Sequence, residues 1–478
     1  MKPKQHDTND APGEAGPSRF FLRSVLAFLI ALHAAAVQAE TALNRIRLDA
    51  PASAERFSIA QLAPDKAVPP LGLGIRTIAL KELVSEALKN NPEIRAARSE
   101  REAASQRIAP AGALDDPMLE AGLLNVPTTS YRLNREDMTM KMLGVAQKLP
   151  WPGKRALRQE VAAKEAQSVE HGYRETVNRV VREVKMAYLD LALATESIRL
   201  LRENRLVLEQ FLRIAESRYS LGQSPQADVF KAQTQLGKMS EEILRMEREV
   251  PTLEAELAKL AGRGGKAQRV FAPLPMLNDA GLSFDALQAA ALRQRPQLHG
   301  LRAMLERSNS MVDLARKDYR PDFDVRLSYG QRDNMLDGTR RPDMVSLTVA
   351  INLPVWRRNK LDPRIAEAHA MRDQALSMLE AQQNEILAKL RSQLAMAEQS
   401  RQSARLFESG ILPQSSLAVE STLSAYRANR ADLLMLLDSQ MSLYGYRTGH
   451  AAAVVNFNKA LAEIEWLTGA YLPANSVE

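Results

Sequence analysis

The sequence predicts a mainly α-helical chain that also supplies four strands to a membrane β-barrel, with the barrel shared between chains and continued by a long helical tube. Three observations point there. A proline-free stretch from Lys154 to about Ser220 carries apolar residues in 4-3 spacing, runs of strand length alternate apolar with polar residues, and an internal duplication produces most features twice.

Composition narrows the function classes first. The 478 residues are 45% apolar and 25% charged, but only 5% aromatic, a bias toward long helices over a β-rich enzyme core. At this length two to four domains are expected. The net charge of +7 is spread with both signs interspersed, and no basic face or stripe suggests a nucleic-acid partner. With no cysteine there is no disulfide, thiolate metal site, cysteine nucleophile or lipid-modified N-terminal cysteine. No His-Glu-x-x-His helix or nucleophile–base set is present, and Gly72-x-Gly74 lacks the third glycine and flanking strand of a phosphate loop. The chain is therefore expected to be no enzyme and to need no cofactor. The six histidines, at 6, 33, 171, 299, 369 and 450, show no paired ligand spacing, and packing or solvated roles are expected for those in the mature chain.

Arg19 and Arg23 flank the start of an apolar run from Phe20 through Leu32, and Val37-x-Ala39 offers small residues before Glu40, the pattern of a secretory signal over 1–39. Residues 40–76 are rich in proline and glycine and read as an extended tail. Beyond the signal no apolar run reaches eighteen residues, so no transmembrane helix is expected and membrane crossing would fall to a β-barrel.

Leu83, Ala87, Leu88, Pro92 and Arg98 recur 204 residues later as Leu287, Ala291, Leu292, Pro296 and Arg302, and Leu149-Pro150 recurs as Leu353-Pro354. Tyr219, Gln233 and Leu236 recur at an offset of 207 as Tyr426, Gln440 and Leu443. The expected organisation is a first repeat over 77–262, a linker at 263–282, a second repeat over 283–470 and a tail at 471–478. Each repeat opens with a helix, at about 79–109 and 283–317. Strands follow at 117–125 and 138–149, then at 322–329 and 344–353. In the second pair Phe323, Val325, Leu327 and Tyr329, and Val345, Leu347, Val349 and Ile351, alternate with polar or small residues, at roughly the 9–11 residues that a tilted strand needs to cross hydrocarbon. Trp151 with Lys154 and Arg155, and Trp356 with Arg357 and Arg358, then mark a membrane–water boundary, where indole sits among headgroups and cations reach outward.

In the rod, Val177, Val181, Val184, Tyr188, Leu191, Thr195 and Ile198 form a 4-3 seam. Gly222, Ser224 and Pro225 end it at a tip near 219–226, and the return helix to Gly262 has a joint at Pro251. The second rod is expected to break at Gly410–Pro413 and turn near 426–432. Four strands cannot close a barrel, because about eight is the practical minimum. Two chains give eight strands and three give twelve, and the count does not choose between them.

These features together resemble the TolC family of trimeric outer-membrane efflux ducts over residues 77–470. The carriers are the twice-used Leu-x3-Ala-Leu-x3-Pro opening, the strand-ending Leu-Pro, and the tips Tyr219-Ser-Leu-Gly222 and Tyr426-Arg-Ala-Asn429. The resemblance implies a homotrimer with a twelve-stranded barrel in outer-membrane lipid and a coiled-coil tunnel in the periplasm of a Gram-negative cell. It also implies passive conduction, docking to a periplasmic adaptor, and an inner-membrane efflux pump, expected to be of the RND type. Adaptor contact maps onto Tyr219, Leu221, Gly222 and Ser224, and onto Tyr426, Asn429 and Arg430. Asn429 replaces the usual tip glycine and suits a left-handed turn. Of the two constriction carboxylates of the family, this chain has Met435 at the first position and keeps Asp438. Asp432 is a second candidate for the constriction, or else a helix-start acid.

The Trp-Pro-Gly-Lys-Arg boundary and the Asp116-Pro117-Met118 strand start are most similar to the heavy-metal, CusC/CzcC-like branch, and heavy-metal cations are the expected cargo. Met138, Met140 and Met142 on one strand face fit that branch, since thioethers favour soft ions, although methionine also fills gaps. The alternatives are a drug or small-molecule duct of the same fold, or a soluble periplasmic coiled-coil adaptor. An adaptor should show one helical hairpin between β-rich segments, whereas this chain has two hairpins.

Overall fold

A computed structural model describes residues 79–264, 270, 272–277 and 281–470. The expected signal, the tail at 40–76 and the segment 471–478 lie outside these residues, as does part of the 263–282 linker.

The first repeat comprises α1 (Leu80–Asn90), α2 (Pro92–Gln106), the short α3 (Ile108–Gly112), β1 (Met118–Leu124), β2 (Met140–Leu149), α4 (Lys154–Ser220) and α5 (Gln226–Leu260). The second comprises α6 (Phe284–Gln294), α7 (Pro296–Lys317), β3 (Phe323–Gln331), β4 (Met344–Ile351), α8 (Asp362–Leu406), α9 (Leu412–Arg427) and α10 (Leu433–Thr468), with π-helical turns at Arg357–Leu361 and Phe407–Ile411. The rod α4 has 67 residues, which at ~1.5 Å per residue makes about 100 Å.

Three expectations about the helices need correction. Each opening helix is two helices, bent at Asn91–Pro92 and at Arg295–Pro296. A residue before proline is driven out of the helical region, and Asn91 (φ −60°, ψ 126°) and Arg295 (φ −64°, ψ 120°) are both extended. Proline then starts the next helix, where its missing N–H costs nothing. At Pro251 there is no joint: α5 runs through it, held on α4 by buried Ile243 and Leu257 to either side while the proline faces outward. The break at Gly410–Pro413 is instead the π turn Phe407–Ile411. The helical path continues, because a widened turn accommodates a proline that has no N–H to donate and whose ring crowds the carbonyl four residues back.

The seam residues of α4 are buried except for Thr195, whose hydroxyl donates to the Leu191 and Ala272 carbonyls. Val177, Val181, Val184, Tyr188 and Leu191 pack with Leu83, Val84 and Ala87 of α1, Ile94 of α2, and Leu257 and Leu260 of α5, so this part of the rod is the core of a helical belt. A second cluster near the tips joins α4 and α5 to α9 and α10, and a third packs α6, α7, α8 and α10.

The duplication recurs at the closing glycines. Gly262 (φ +71°) and Gly469 (φ +67°) end the return helices, and each lies against the bend of its own opening pair. A Cβ on Gly262 would fall 2.4 Å from the Asn90 carbonyl oxygen, and one on Gly469 would fall 3.0 Å from Arg295 Cα. At the first bend the Asn91 side chain accepts from the N–H groups of Glu93 and Ile94 and donates to the Leu260 carbonyl at 2.8 Å. Arg263 clamps Glu86 of α1 through two bonds of 2.7 and 2.6 Å, which holds the Glu86 carboxyl below its ordinary range.

The four strands form one antiparallel sheet in the order β1-β2-β3-β4, with β2 of the first repeat paired to β3 of the second. Replacing Gly262 by alanine is expected to cost about 2 kcal/mol or more, because both the positive φ and the Asn90 carbonyl oppose a Cβ. The thermal midpoint of the purified protein reads this out, and an unchanged midpoint would show that the α5–α1 junction yields freely.

Candidate channel wall and helical tips

Directly paired residues share a face of the sheet, so the register sorts its two sides. One side carries the rows Leu119–Val145–Leu327–Leu347 and Ala121–Leu143–Tyr329–Val345, followed by Val325–Val349 and Phe323–Ile351. It is an apolar surface open to its surroundings, with Leu347 68% exposed, interrupted by Gln147 in the row of Val325. The other side carries Glu120–Gly144–Ser328–Ser346 and Ala146–Arg326–Thr348, with Arg326 paired to Glu120 at 3.1 Å. This division between an apolar band and a polar lining is that of a membrane barrel wall.

Of the three methionines, Met140 and Met142 fall on the polar side and Met138 does not belong to the strand. Met138 sits in the turn before β2, its carbonyl accepting from the Asn125 side chain. Met142 shares a row with Gly330 and Met344, and the Met140 sulfur lies over Gly330, 2.5 Å from where a Cβ would stand. Beyond the strands Arg341 is buried and donates to the carbonyls of Asp333, Glu136 and Leu133, tying the second-repeat loop to the first-repeat loop.

At the opposite strand ends the two boundary clusters differ. Trp356 is 71% exposed, and Arg357 and Arg358 are exposed beside it. Trp151 is half-buried and stacks on Phe323, with ring centroids 5.9 Å apart. Lys154 does not reach outward. Its ammonium is buried, 2.9 Å from Asp322, 3.6 Å from Asp318 and 3.0 Å from the Arg320 carbonyl, so it pins the start of α4 to the start of β3. Burial would penalise an isolated ammonium, and the two carboxylates compensate it. Arg155 is also engaged, donating to the Gly112 carbonyl at 2.8 Å.

At the far end of the rods the two tips lie together. Gly222 (φ +68°) and Asn429 (φ +62°) make the left-handed turns. Tyr219 is 46% exposed and Leu221 more so, Gly222 and Arg430 are exposed, and Ser224 is half-buried. Tyr426, the duplicate of Tyr219, is 1% exposed and is therefore a core residue of the tip and no docking surface in the protomer. It lies beneath Arg218, whose guanidinium carbon is 4.5 Å from the ring centroid. Arg218 also donates to the Tyr426 carbonyl, to the Asn429 side chain at 2.5 Å and to the Gln223 carbonyl. One buried guanidinium thus fastens the second tip to the first. Sequence reasoning passes over Arg218, yet a signal exists, since at the 207-residue offset its counterpart is Ala425 and the duplication is broken there. Higher in the same bundle, buried Gln440 donates to buried Asn204 at 2.7 Å, a polar pair that fixes the register between α4 and α10.

Asp432, just before α10, and Asp438 on it are both exposed. Asp432 is the helix N-cap, accepting from the Met435 N–H at 2.8 Å, which realises the helix-start role considered for it. Among the described residues no group of three or more His, Asp or Glu side chains is placed to hold a metal, and no helix is long and apolar enough to cross a membrane.

The family model for outer membrane efflux proteins matches residues 83–263 and 287–470, the two repeats in turn. The chain belongs to the outer membrane efflux protein family. This family member is 24% identical over 401 residues to the cobalt-zinc-cadmium resistance protein CzcC of Cupriavidus metallidurans, covering 82% of this chain and 90% of CzcC. It is 20% identical over 385 residues to outer membrane protein TolC of Vibrio cholerae, covering 76% and 84% of the two chains. A crystal structure of CusC superposes with a TM-score of 0.69 at 17% identity, covering 86% of this chain and 99% of that one. The fold is thus the protomer of a trimeric TolC-like duct, a Gram-negative outer-membrane efflux channel with its helices in the periplasm.

Replacing Arg218 by alanine leaves the Tyr426 carbonyl and the Asn429 side chain without their shared donor, at a cost of about 3 kcal/mol to the tip. Trypsin is expected to cut at Arg427 or Arg430 several-fold faster in the variant than in the parent, while digestion at the strand end stays unchanged. Equal rates at the tip would show that Arg218 does not fasten it.

Proposed function

We propose that this channel is the passive outer-membrane duct of a tripartite system exporting heavy-metal cations. The observation that carries the reading is the likeness to CzcC, which spans nine-tenths of that protein and both repeats here. The polar sheet face, with Glu120, Asp324 and the thioethers of Met140, Met142 and Met344, supplies a lining of oxygen and sulfur donors. An inner-membrane pump, of the RND type, provides the energy, and the chain itself performs no catalysis.

A periplasmic adaptor docks at the tips on Tyr219, Leu221, Gly222, Ser224, Asn429 and Arg430, with Tyr426 supporting them from beneath. Asp432 and Asp438 lie just inside the second tip, and three copies about the axis make two carboxylate rings that favour cations. Trp356, Arg357 and Arg358 meet the lipid headgroups, with Trp151 beside them.

Two outcomes test this reading. A strain lacking the protein should lose tolerance to cobalt, zinc or cadmium and regain it on complementation. Unchanged metal tolerance combined with new sensitivity to an organic compound would move the cargo to small molecules. The double variant Asp432→Asn/Asp438→Asn keeps the N-cap, because asparagine caps as well as aspartate. In planar bilayers its cation-over-anion permeability ratio should fall severalfold, and an unaltered ratio would remove these carboxylates from the constriction.

A further inference from the structure

The helices α4 and α7, one from each repeat, run antiparallel along a seam on which complementary groups meet at successive turns. Glu160 accepts from Ser310 at 3.0 Å, Lys164 meets Glu306 at 2.5 Å, Glu165 meets Arg307 at 3.2 Å, and Glu175 meets Arg295 at 3.1 Å. One step of the seam is different. His171 of α4 faces His299 of α7, their ring centroids 5.2 Å apart and their planes inclined by 24°. The helices come close here at Gly300, where a Cβ would stand 3.5 Å from His171 Cβ.

The hydrogen bonding assigns the free lone pairs. Nε2 of His299 lies 2.7 Å from the Arg293 carbonyl. A carbonyl only accepts, so this nitrogen carries a proton, and in the neutral ring Nδ1 of His299 keeps its lone pair. Nδ1 of His171 is enclosed and has no hydrogen-bond partner. A ring whose second nitrogen donates to a backbone carbonyl is the usual arrangement of a metal-bound histidine. The spacing agrees: two imidazoles on one tetrahedral ion, at Zn–N distances of about 2.0–2.1 Å, have centroids about 5.2 Å apart.

We propose that His171 and His299 form a bis-imidazole site for a borderline divalent cation of the zinc or cobalt class, with water completing the coordination, which staples the first repeat to the second. Burial, and next the neighbouring His299, hold the His171 imidazole below its ordinary value, which favours the unprotonated ring that ligation needs. Glu170 beside it is taken up by Arg174 at 2.9 Å and Arg101 at 3.6 Å, and is not needed as a ligand. The site lies on a helix seam, away from the sheet lining and the tips, and stands whatever the duct conducts.

Zinc chloride titrated by calorimetry into the tag-free, full-length protein in detergent tests the site. About one ion per chain should bind and raise the thermal midpoint. His171→Asn and His299→Asn should each weaken binding about tenfold or more and abolish the zinc-dependent rise, whereas His369→Asn and His450→Asn should leave both unchanged. His171→Cys, which keeps a donor, should still bind zinc, and it decides the matter if the asparagine variants fail to assemble. Parent-like binding in both asparagine variants, no binding by the parent, or no binding by an assembled His171→Cys protein would overturn the proposal. Strain tolerance to metals does not enter this readout, so the site and the cargo assignment can fail separately.

Discussion

The open edges of the β1–β4 sheet constrain everything else in this chain. A strand edge within hydrocarbon leaves its N–H and C=O groups without partners, at several kcal/mol for each group, and four strands are too few to curl round and meet. The apolar rows through Leu119, Val145, Leu327 and Leu347 require lipid on one side, while Glu120, Arg326 and Ser328 require water on the other. Closure with copies of the chain satisfies both demands. The rods carry the same requirement into the periplasm, where exposed Phe230, Leu244, Met371, Met378, Leu417 and Leu434 await neighbours.

A shared barrel works only if each protomer holds its two repeats in fixed relation, and this is done with cations that cross from one repeat to the other. Lys154 reaches from the first repeat to Asp318 and Asp322 at the base of the strands. Arg341 reaches back from the second repeat to the Glu136 and Leu133 carbonyls at the loop end. Arg218 reaches across to Tyr426 and Asn429 at the tips. Each is buried, so each is costly to break, and together they fasten the repeats at both ends of the sheet and at the end of the rods. The closing glycines Gly262 and Gly469 do the corresponding work within each repeat, by allowing the end of the return helix to press on the opening bend.

Much of this was legible in the sequence, because periodicity and duplication are local or translational signals. The rod from Lys154 to Ser220, the second-repeat strands and the left-handed turn at Asn429 follow from residue spacing and turn chemistry alone. The bends at Pro92 and Pro296 are also written there, but a proline that starts a helix leaves the same apolar period on both sides and reads as continuity. What stays hidden is the contact made by a cation at long range. Nothing near Lys154 says that it turns inward to carboxylates more than 160 residues away, and Tyr219 and Tyr426 look equivalent until Arg218 buries one of them. The pair His171–His299 is invisible for the same reason, since only the antiparallel alignment of α4 with α7 brings the rings together.

The claim that the open sheet is one third of a barrel is tested most directly by the mass of the complex extracted from outer membranes in mild detergent, measured by native mass spectrometry or light scattering. A single species of three chains, with twelve strands, is expected. A stable species of one or two chains would contradict it, and would return the apolar rows of β1–β4 to some other covering than lipid and a shared wall.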